Sequence, residues 1–207
     1  MSRLLRLGIL LLLVSCGGQY SAPRNLDNAC DIVDERPHYL AAMQQSERRW
    51  GVPVHVQMAT IYQESKFVGN AKTPRKFVLG FIPAGRRSSA YGYSQALDGT
   101  WDDYVAETRS FGARRNKIED ATDFIGWYMD RSEQKLGISK WDAGSQYLAY
   151  HEGHGGYARG SHQQKAWLLR VASEVAQRSE KYQMHSSPAG SCELTTCSAS
   201  RSSRPGR

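Results

Sequence analysis

Glu64 is a candidate proton donor, because it lies near the predicted end of a helix in the sequence Ile-Tyr-Gln-Glu-Ser, residues 61–65. Burial against apolar and aromatic side chains disfavours a carboxylate and raises its pKa above the usual value of about 4.3. A glutamic acid with a raised pKa acts as a general acid near neutral pH. Most glutamates at helix ends are solvated instead, so the rest of the sequence must decide between these two interpretations.

His151, Glu152 and His154 form a second group with chemical potential, since two histidines and a glutamate are able to bind zinc. In the zinc-protease motif the two histidines stand four residues apart on a continuous helix. Here they stand three apart, and Gly153 interrupts the helical pattern between them. The sequence therefore predicts a turn in the wall of a cleft, with no metal and no cofactor.

Three short segments place Glu64 in a wider pattern. They are Glu-Ser at 64–65, Tyr-Gly-Tyr-Ser-Gln at 91–95 and Ala-Tyr-His-Glu-Gly at 149–153. Their order resembles the three motifs of the soluble lytic transglycosylase (SLT) domain, a lysozyme-like fold that cleaves peptidoglycan. The stretches RWGVPVHVQMATIYQES and LAYHEGHGGYARG are similar to a group of proteobacterial lipoproteins that carry this domain, and the resemblance covers about residues 30–182.

The resemblance implies a reaction at the β-1,4 bond between N-acetylmuramic acid and N-acetylglucosamine. Glu64 would first protonate the leaving oxygen as a general acid. The same group, now a carboxylate, would take the proton from the muramoyl C6 hydroxyl, which closes on C1 and leaves a 1,6-anhydro ring. Because the nucleophile belongs to the substrate, one carboxyl group suffices where hydrolytic glycosidases use two.

The resemblance also assigns residues that bind the glycan strand. Gln95 would hydrogen-bond the sugar or its N-acetyl group, and Tyr150 would help to place that group near Glu64. Gly92 would let the backbone pass close to the cleft, because glycine has no side chain. Ser65, which follows the acid, would orient it.

Two departures from the family pattern alter the expected sugar site. Tyr93 and Ser94 stand where the family has an apolar pair, and His151 stands where the family has an asparagine. The site should therefore be more polar here. Tyr91 and His151 join the predicted substrate-binding residues, and Tyr91, Tyr93 and Tyr157 are candidates to stack on sugar rings.

Hydrophobic periodicity predicts a mainly α fold with a long loop or small hairpin after the helix that carries Glu64, and the resemblance implies that it is of the α+β, lysozyme-like class. That loop runs from Val68 to Gly99, and some of its basic residues either contact muramoyl lactate or peptide carboxylates or form a solvated rim: Arg75, Lys76, Arg86 and Arg87. The predicted helices are Pro37 to Trp50, ended by Gly51; Pro53 to about Phe67; one opened by a Thr100 and Asp103 capping box; 118–136, ended by Gly137; 141–150; and a last one capped by Ser161.

The N-terminus has the pattern of an export signal. Arg3 and Arg6 precede an apolar run over residues 7–14, which is far shorter than the ~20 residues that span a bilayer. The run ends in Leu-Val-Ser-Cys-Gly-Gly, which resembles the bacterial lipobox and predicts lipidation of Cys16. The alternative is an ordinary secretory signal cut near Ser15. Gly17 after the cysteine favours an outer-membrane anchor that faces the periplasm.

These features divide the chain into four predicted parts: a signal peptide at 1–15, a tether at 16–29, the SLT-like domain at 30–184 and a flexible Ser- and Arg-rich tail at 185–207. Export places the cysteines in an oxidising compartment. A disulfide from Cys30 to Cys192 or Cys197 would join the two ends of the domain, and a local bridge between Cys192 and Cys197 is the alternative.

Charge and composition bound the choice of partners. Lys and Arg number 27 against 20 Asp and Glu, a net charge of +7, which favours acidic partners without naming one. The predicted partners are peptidoglycan strands and, through the lipid, a membrane. Nucleic acid is not expected, because the basic residues form no helical stripe and the chain carries an export signal.

Two other functions use the same residues. A hydrolytic muramidase would need a second carboxylate to hold water, and Asp98 and Asp102 are the nearest candidates in the sequence. A non-catalytic peptidoglycan-binding lipoprotein would keep the cleft without turnover. The presence of Glu64 among the matching motifs argues against the second alternative.

Overall fold

The computed structural model describes residues 20–78, 82–86 and 88–185. Helices carry most of this part of the chain, which confirms the predicted mainly α fold. They are α1 (Ala29–Glu35), α2 (Pro37–Trp50), α3 (Val54–Ser65), α4 (Asp98–Thr108), α5 (Ile118–Leu136), α6 (Ala143–Ala158) and α7 (Ala166–His185), with a 3₁₀ turn at Ser161–Gln164. An antiparallel hairpin, β1 (Arg75–Val78) and β2 (Ile82–Arg86), lies in the long connection between α3 and α4.

Glycine ends two helices where the sequence predicts it. Gly51 follows α2 with a φ of 73°, and Gly137 follows α5 with a φ of 70°. A residue in the left-handed region lets its N–H close on a carbonyl of the last turn, and glycine adopts this conformation without steric cost. Pro37 opens α2, where its missing N–H costs nothing.

The predicted start of α4 is wrong. The helix begins at Asp98 rather than Thr100, and Leu97 is its N-cap without a side-chain hydrogen bond. The N–H of Asp98 bonds the hydroxyl of Ser89 at 3.0 Å instead. A partner distant in sequence therefore sets this boundary, and the Thr100 and Asp103 pair does not.

The glycine-rich segment after Tyr150 stays within α6, which extends to Ala158 with one kink at Gly153, where φ is 72° and ψ is 156°. The predicted cap of the last helix is wrong. The Ser161 hydroxyl donates to the Gly156 carbonyl at 2.9 Å and to the Glu152 carboxylate, so it holds the end of α6. Helix α7 begins at Ala166.

Helix α3 lies at the centre of the fold. It contacts α2, α5, α6 and α7, and its apolar residues Val56, Met58, Ala59 and Ile61 are each at most 1% exposed. The fully buried Gln57 donates from its amide to the carbonyls of Met43 at 3.0 Å and Val52 at 2.8 Å. Because it packs on four sides, the direction and end point of α3 are fixed by the core.

Residues 20–28, expected to be tether, lie on the domain. The Tyr182 hydroxyl donates to the carbonyl of Leu26 at 2.5 Å, and Arg178 pairs with Asp27 at 3.0 Å. The carbonyl of Tyr20 accepts from the N–H of Gly69 at 3.1 Å. The ordered unit thus begins earlier than the predicted boundary at residue 30, because backbone carbonyls of this segment are bound by side chains of α7.

The described residues bear on only part of the export and disulfide predictions. Cys30 is disulfide-bonded. The signal peptide, Cys16, Cys192, Cys197 and the tail from residue 186 lie outside the described residues, so the pairing of Cys30 stays a prediction. Within the part of the chain that the structure describes, no helix is long and apolar enough to span a membrane.

Close packing of α2 against α5 depends on Gly126. A Cβ atom added at Gly126 would lie 2.5 Å from Cδ1 of Trp50 and closer still to the hydroxyl of Ser46. That hydroxyl donates to the carbonyl of Thr122 at 2.8 Å, and Trp50 donates to Asp123 at 2.8 Å. A side chain at position 126 would therefore disturb two hydrogen bonds between the helices.

We expect Gly126→Ala to lower the free energy of unfolding by about 1–3 kcal/mol, the usual cost of overpacking a core. Gly99→Ala in α4 is the matched control, since an added Cβ meets nothing within 4 Å there. The control should leave stability unchanged or raise it by up to about 1 kcal/mol, because alanine favours helix. Urea denaturation of both variants makes the comparison, and equal stabilities would contradict the packing described.

Candidate active site

Glu64 lies in the last turn of α3, where the helix ends abruptly. The next residues, Lys66 and Phe67, have φ values of 51° and 60°, in the left-handed region that side chains other than glycine rarely adopt. Phe67 is fully buried and stacks on Tyr39 with ring centroids 5.9 Å apart. Packing of Phe67 therefore holds the turn that ends α3 beside Glu64.

The carboxyl group of Glu64 has a pKa suited to proton transfer. Burial raises its pKa to about 7, while a hydrogen bond from Tyr147 and the positive charge of Lys66 lower it in part. Because this pKa lies near neutrality, the group is able both to give and to take a proton at pH 7.

Two tyrosines of α6 line the surroundings of Glu64. Burial, and then the charge of Glu64, raise the pKa of Tyr147 and of Tyr150, so both stay neutral hydroxyls. Gln63 hydrogen-bonds Tyr147, and the hydroxyl of Tyr150 donates to the Ser94 carbonyl at 2.6 Å. Tyr147 therefore faces the acid as a donor, whereas Tyr150 links α6 to the loop over residues 91–95.

The loop over residues 91–95 is held by contacts with backbone carbonyl groups. A Cβ atom at Gly92, where φ is 80°, would overlap the carbonyl oxygen of Arg115, so only glycine fits. The side-chain amide of Gln95 donates to the carbonyls of Ala71 at 3.1 Å and Gly92 at 2.8 Å. Gly92 thus brings the loop against the start of α5, and Gln95 closes it.

A cavity of about 220 Å³ joins the second and third sequence segments. Gln95, Tyr150 and His151 line it together. Glu64 is not among the residues that line this cavity, but its charge raises the pKa of Tyr150, which does line it. The remaining lining residues are Ala96, Leu97, Thr100, Phe124, Tyr128, Glu152 and Gly153.

His151 is held at the cavity edge by a carboxylate. Its Nδ1 lies 3.1 Å from Glu152, whose side chain is 4% exposed and bonds Lys165 at 2.7 Å. Hydrogen bonds from Lys165 and Ser161 lower the pKa of Glu152 to about 2. The ring of His151 packs edge-on against Trp167, with centroids 5.2 Å apart. The glycine-rich segment thus builds a charged anchor for a cleft residue.

The comparison with family models decides what this arrangement is. The model described as the transglycosylase SLT domain matches residues 4–187, which include all the described residues. The chain belongs to this family. A search of curated proteins found no match. Membership supports a lysozyme-like fold and a function of the lytic transglycosylase type that acts on peptidoglycan.

Two of the residues predicted for the SLT cleft lie elsewhere. The Ser65 hydroxyl donates to the Ile61 carbonyl at 3.2 Å within α3, so it bonds the helix rather than the acid. Tyr93 is 3% exposed, and its hydroxyl lies 2.9 Å from that of Tyr39. The expectation that Tyr93 stacks on sugar rings is therefore wrong, because its ring belongs to the core.

The other aromatic and basic candidates of the SLT domain lie farther out. Tyr91 is half-buried, with Lys72 at 5.1 Å and Arg115 at 5.6 Å from its ring centre. Tyr157 stacks on His162 at 4.5 Å. In the hairpin, the exposed Arg86 donates to the Thr73 carbonyl at 2.6 Å. The side chains of Arg75 and Lys76, and all of Arg87, lie outside the described part of the chain.

The candidate second acids are solvent-exposed. Asp98 is 63% exposed and pairs with Arg115 at 2.7 Å, and Asp102 is exposed. Among the described residues, no other carboxylate raises the pKa of Glu64, as a neighbouring anion would. No group of three His, Cys, Asp or Glu in the described ranges is arranged to hold a metal.

Tyr147 is the site residue that the sequence analysis missed. It lies three positions before Tyr150 on α6, so the two side chains share one face of the helix. The spacing alone could have identified it, since a helix that presents Tyr150 to the acid also presents Tyr147. The role of the Tyr147 hydroxyl follows only from the position of α3, which carries Glu64.

Tyr147→Phe should raise the pKa of Glu64 above its value of about 7, because the variant loses a hydrogen bond that favours the carboxylate. A ¹³C NMR titration of labelled glutamate side chains measures this pKa directly. Tyr157→Phe serves as the control, since it removes the hydroxyl of a ring that stacks on His162 and not on Glu64. An unchanged pKa in Tyr147→Phe would remove Tyr147 from the site.

Glu64→Gln should stabilise the protein, and the gain should depend on pH. The folded pKa of about 7 exceeds the ordinary glutamate pKa of 4.5, so the folded wild type binds the proton more tightly than the unfolded chain. Its stability relative to the variant therefore falls between pH 4.5 and 7, by up to about 3 kcal/mol. Urea denaturation at pH 4 and pH 8 tests this, and equal gains at both would contradict the raised pKa.

Proposed function

We propose that this protein is a peptidoglycan lytic transglycosylase in which Glu64 acts first as the general acid and then as the base. The observation that carries the proposal is the half-buried Glu64 carboxyl group at the end of α3, whose pKa desolvation raises to about 7 and the Tyr147 hydroxyl lowers in part. A single group with this pKa serves both proton transfers at neutral pH.

In the first step, the protonated Glu64 donates its proton to the oxygen of the β-1,4 bond. The bond between muramoyl C1 and that oxygen breaks, N-acetylglucosamine leaves with the proton, and C1 acquires oxocarbenium character. Glu64 becomes a carboxylate, which the hydrogen bond from Tyr147 and the charge of Lys66 stabilise. The N-acetyl oxygen of the substrate eases the charge at C1.

In the second step, the Glu64 carboxylate takes the proton from the muramoyl C6 hydroxyl. The C6 oxygen bonds to C1 and closes the 1,6-anhydro ring, and Glu64 is left protonated for the next cycle. No water enters and no second carboxylate is required, because the nucleophile is held within the substrate. This agrees with the absence, among the described residues, of a second carboxylate that acts on Glu64.

The cleft residues would orient the muramoyl unit for this sequence. Gln95, Tyr150 and His151 share one cavity beside the acid, and we assign the sugar and its N-acetyl group to them. The aromatic ring of Tyr150 offers an apolar face, and the imidazole of His151 adds a polar group. Gly92 and the carbonyl of Ser94 hold the loop that carries Gln95.

We also propose that the protein works in the cell envelope, anchored through a lipid on Cys16 in the outer membrane and facing the periplasm. The short apolar run and the lipobox-like sequence support the anchor. The disulfide at Cys30 is the state expected in an oxidising compartment.

Mass spectrometry of the muropeptides released from purified peptidoglycan tests the reaction. The wild type should release products with 1,6-anhydromuramoyl ends, which are lighter than reducing ends by one water. Glu64→Gln should lower their release by about 10²–10⁴-fold, since it removes the proton donor. Glu180→Gln, an exposed carboxylate on α7, is the control and should keep wild-type activity.

Other products would identify the competing functions. Reducing muramoyl ends would mean that water attacks C1 in a hydrolytic muramidase, and Asp98→Asn and Asp102→Asn would then be tested for the loss of that activity. Binding to peptidoglycan without release of products would mean a wall-binding lipoprotein.

A further inference from the structure

A second cavity lies on the other side of the helix end that carries Glu64. It has a volume of about 330 Å³ and lies between α3 and α7. Its lining is mostly polar and charged, and comprises Ala59, Tyr62, Gln63, Lys66, Glu174, Val175, Gln177, Arg178 and Lys181. We call it the cationic pocket, because three of its residues are basic and one is acidic.

Lys66 is the cation of this pocket that lacks an ion-pair partner. Arg178 and Lys181 lie 3.0 Å and 3.8 Å from the carboxylate of Asp27, which is outside the pocket lining. Among the described residues, no carboxylate lies within 4.0 Å of the Lys66 ammonium group. Burial, and then the charge of Arg178, lower the pKa of Lys66, whereas the charges of Glu174 and Glu64 raise it. The side chain of Lys66 is exposed, so its ammonium group is open to an anion.

Tyr62 and the backbone hold Lys66 in place. The Lys66 ammonium lies 3.6 Å from the centre of the Tyr62 ring, and the Arg178 guanidinium lies 3.4 Å from it. Two cationic groups so close to one centre cannot share a face, so the ring lies between them. The φ of 51° at Lys66 costs backbone energy that the adjoining core must offset. The Tyr62 ring therefore separates the two cationic groups and contacts both.

The cationic pocket adjoins the reaction centre. Gln63 lines the pocket and hydrogen-bonds Tyr147, which in turn hydrogen-bonds Glu64. The charge of Lys66 also acts on the pKa of Glu64. A group attached to the sugar that Glu64 acts on could reach this pocket from the cleft.

We propose that the cationic pocket binds a free carboxylate of the peptide carried by the muramoyl residue, with Lys66 as its ion-pair partner. The proposal rests on the function proposed above. The muramoyl lactyl group bears the peptide, and the peptide bears free carboxylates. A lysine ammonium is a compact charge that matches a single carboxylate, and the amides of Gln63 and Gln177 line the same pocket.

Occupancy of the pocket has a consequence for the acid. A carboxylate on Lys66 offsets the positive charge that lowers the pKa of Glu64. Binding of the peptide then favours the protonated form of Glu64, which is the form that the first step needs. Recognition of the peptide and readiness of the acid are thus linked through one ammonium group.

The test compares two substrates that differ only in charge: peptidoglycan with free peptide carboxylates, and the same material with those carboxylates amidated. The quantity measured is the ratio of kcat/KM for the two in the full-length protein. The wild type should prefer the free carboxylates by about two- to fivefold, the range of an exposed ion pair. Lys66→Gln should bring the ratio close to one, because it removes both the ion pair with the peptide carboxylate and the charge through which occupancy of the pocket acts on Glu64.

Two further variants keep the result interpretable. Lys66→Arg retains the charge and should restore most of the preference. Lys117→Gln removes the same charge from an exposed position at the start of α5 and should leave the preference intact. Equal rates for both substrates in the wild type, or equal losses in Lys66→Gln and Lys117→Gln, would overturn the pocket. Activity on neither substrate would instead refute the proposed function.

Discussion

Desolvation of one carboxyl group is the constraint on which the site depends. Glu64 has a pKa of about 7 because α3 is packed on four sides and ends where the core requires it to end. Phe67 is anchored in that core, so the chain leaves the helix after Ser65 through two strained residues, Lys66 and Phe67. The same core packing that stabilises the fold therefore places an acid where water does not fully solvate it.

Helix α6 forms the other wall of the site, and its kink at Gly153 divides it into two parts with different contacts. Before the kink, Tyr147 and Tyr150 face the acid from one side of the helix. At the kink, Lys165 and Ser161 donate hydrogen bonds to the Glu152 carboxylate, which in turn holds His151. In a continuous helix, the residues from position 154 onward would follow the same direction as those before it. The kink at Gly153 changes this direction, so the two parts of α6 contact different partners.

Local signals in the sequence were sufficient for much of the fold. Gly51 and Gly137 end helices by their own conformation, and the family motifs bring Gln95 and Tyr150 to one cavity. Features that depend on distant partners could not be found this way. The start of α4 follows a bond to Ser89, and the role of Tyr147 needs the packing of α6 on α3. Burial of Tyr93 likewise depends on Tyr39, which is far away in the chain.

The docking of residues 20–28 on α7 limits how far the domain can travel. If Cys16 carries the lipid, the free span ends at Tyr20, whose carbonyl is already bound by the domain. Four extended residues reach at most about 15 Å. Thirteen extended residues, up to the predicted domain boundary at residue 30, would have reached about 45 Å. The domain would then be held close to the outer membrane and would reach only the part of the wall nearest to that membrane.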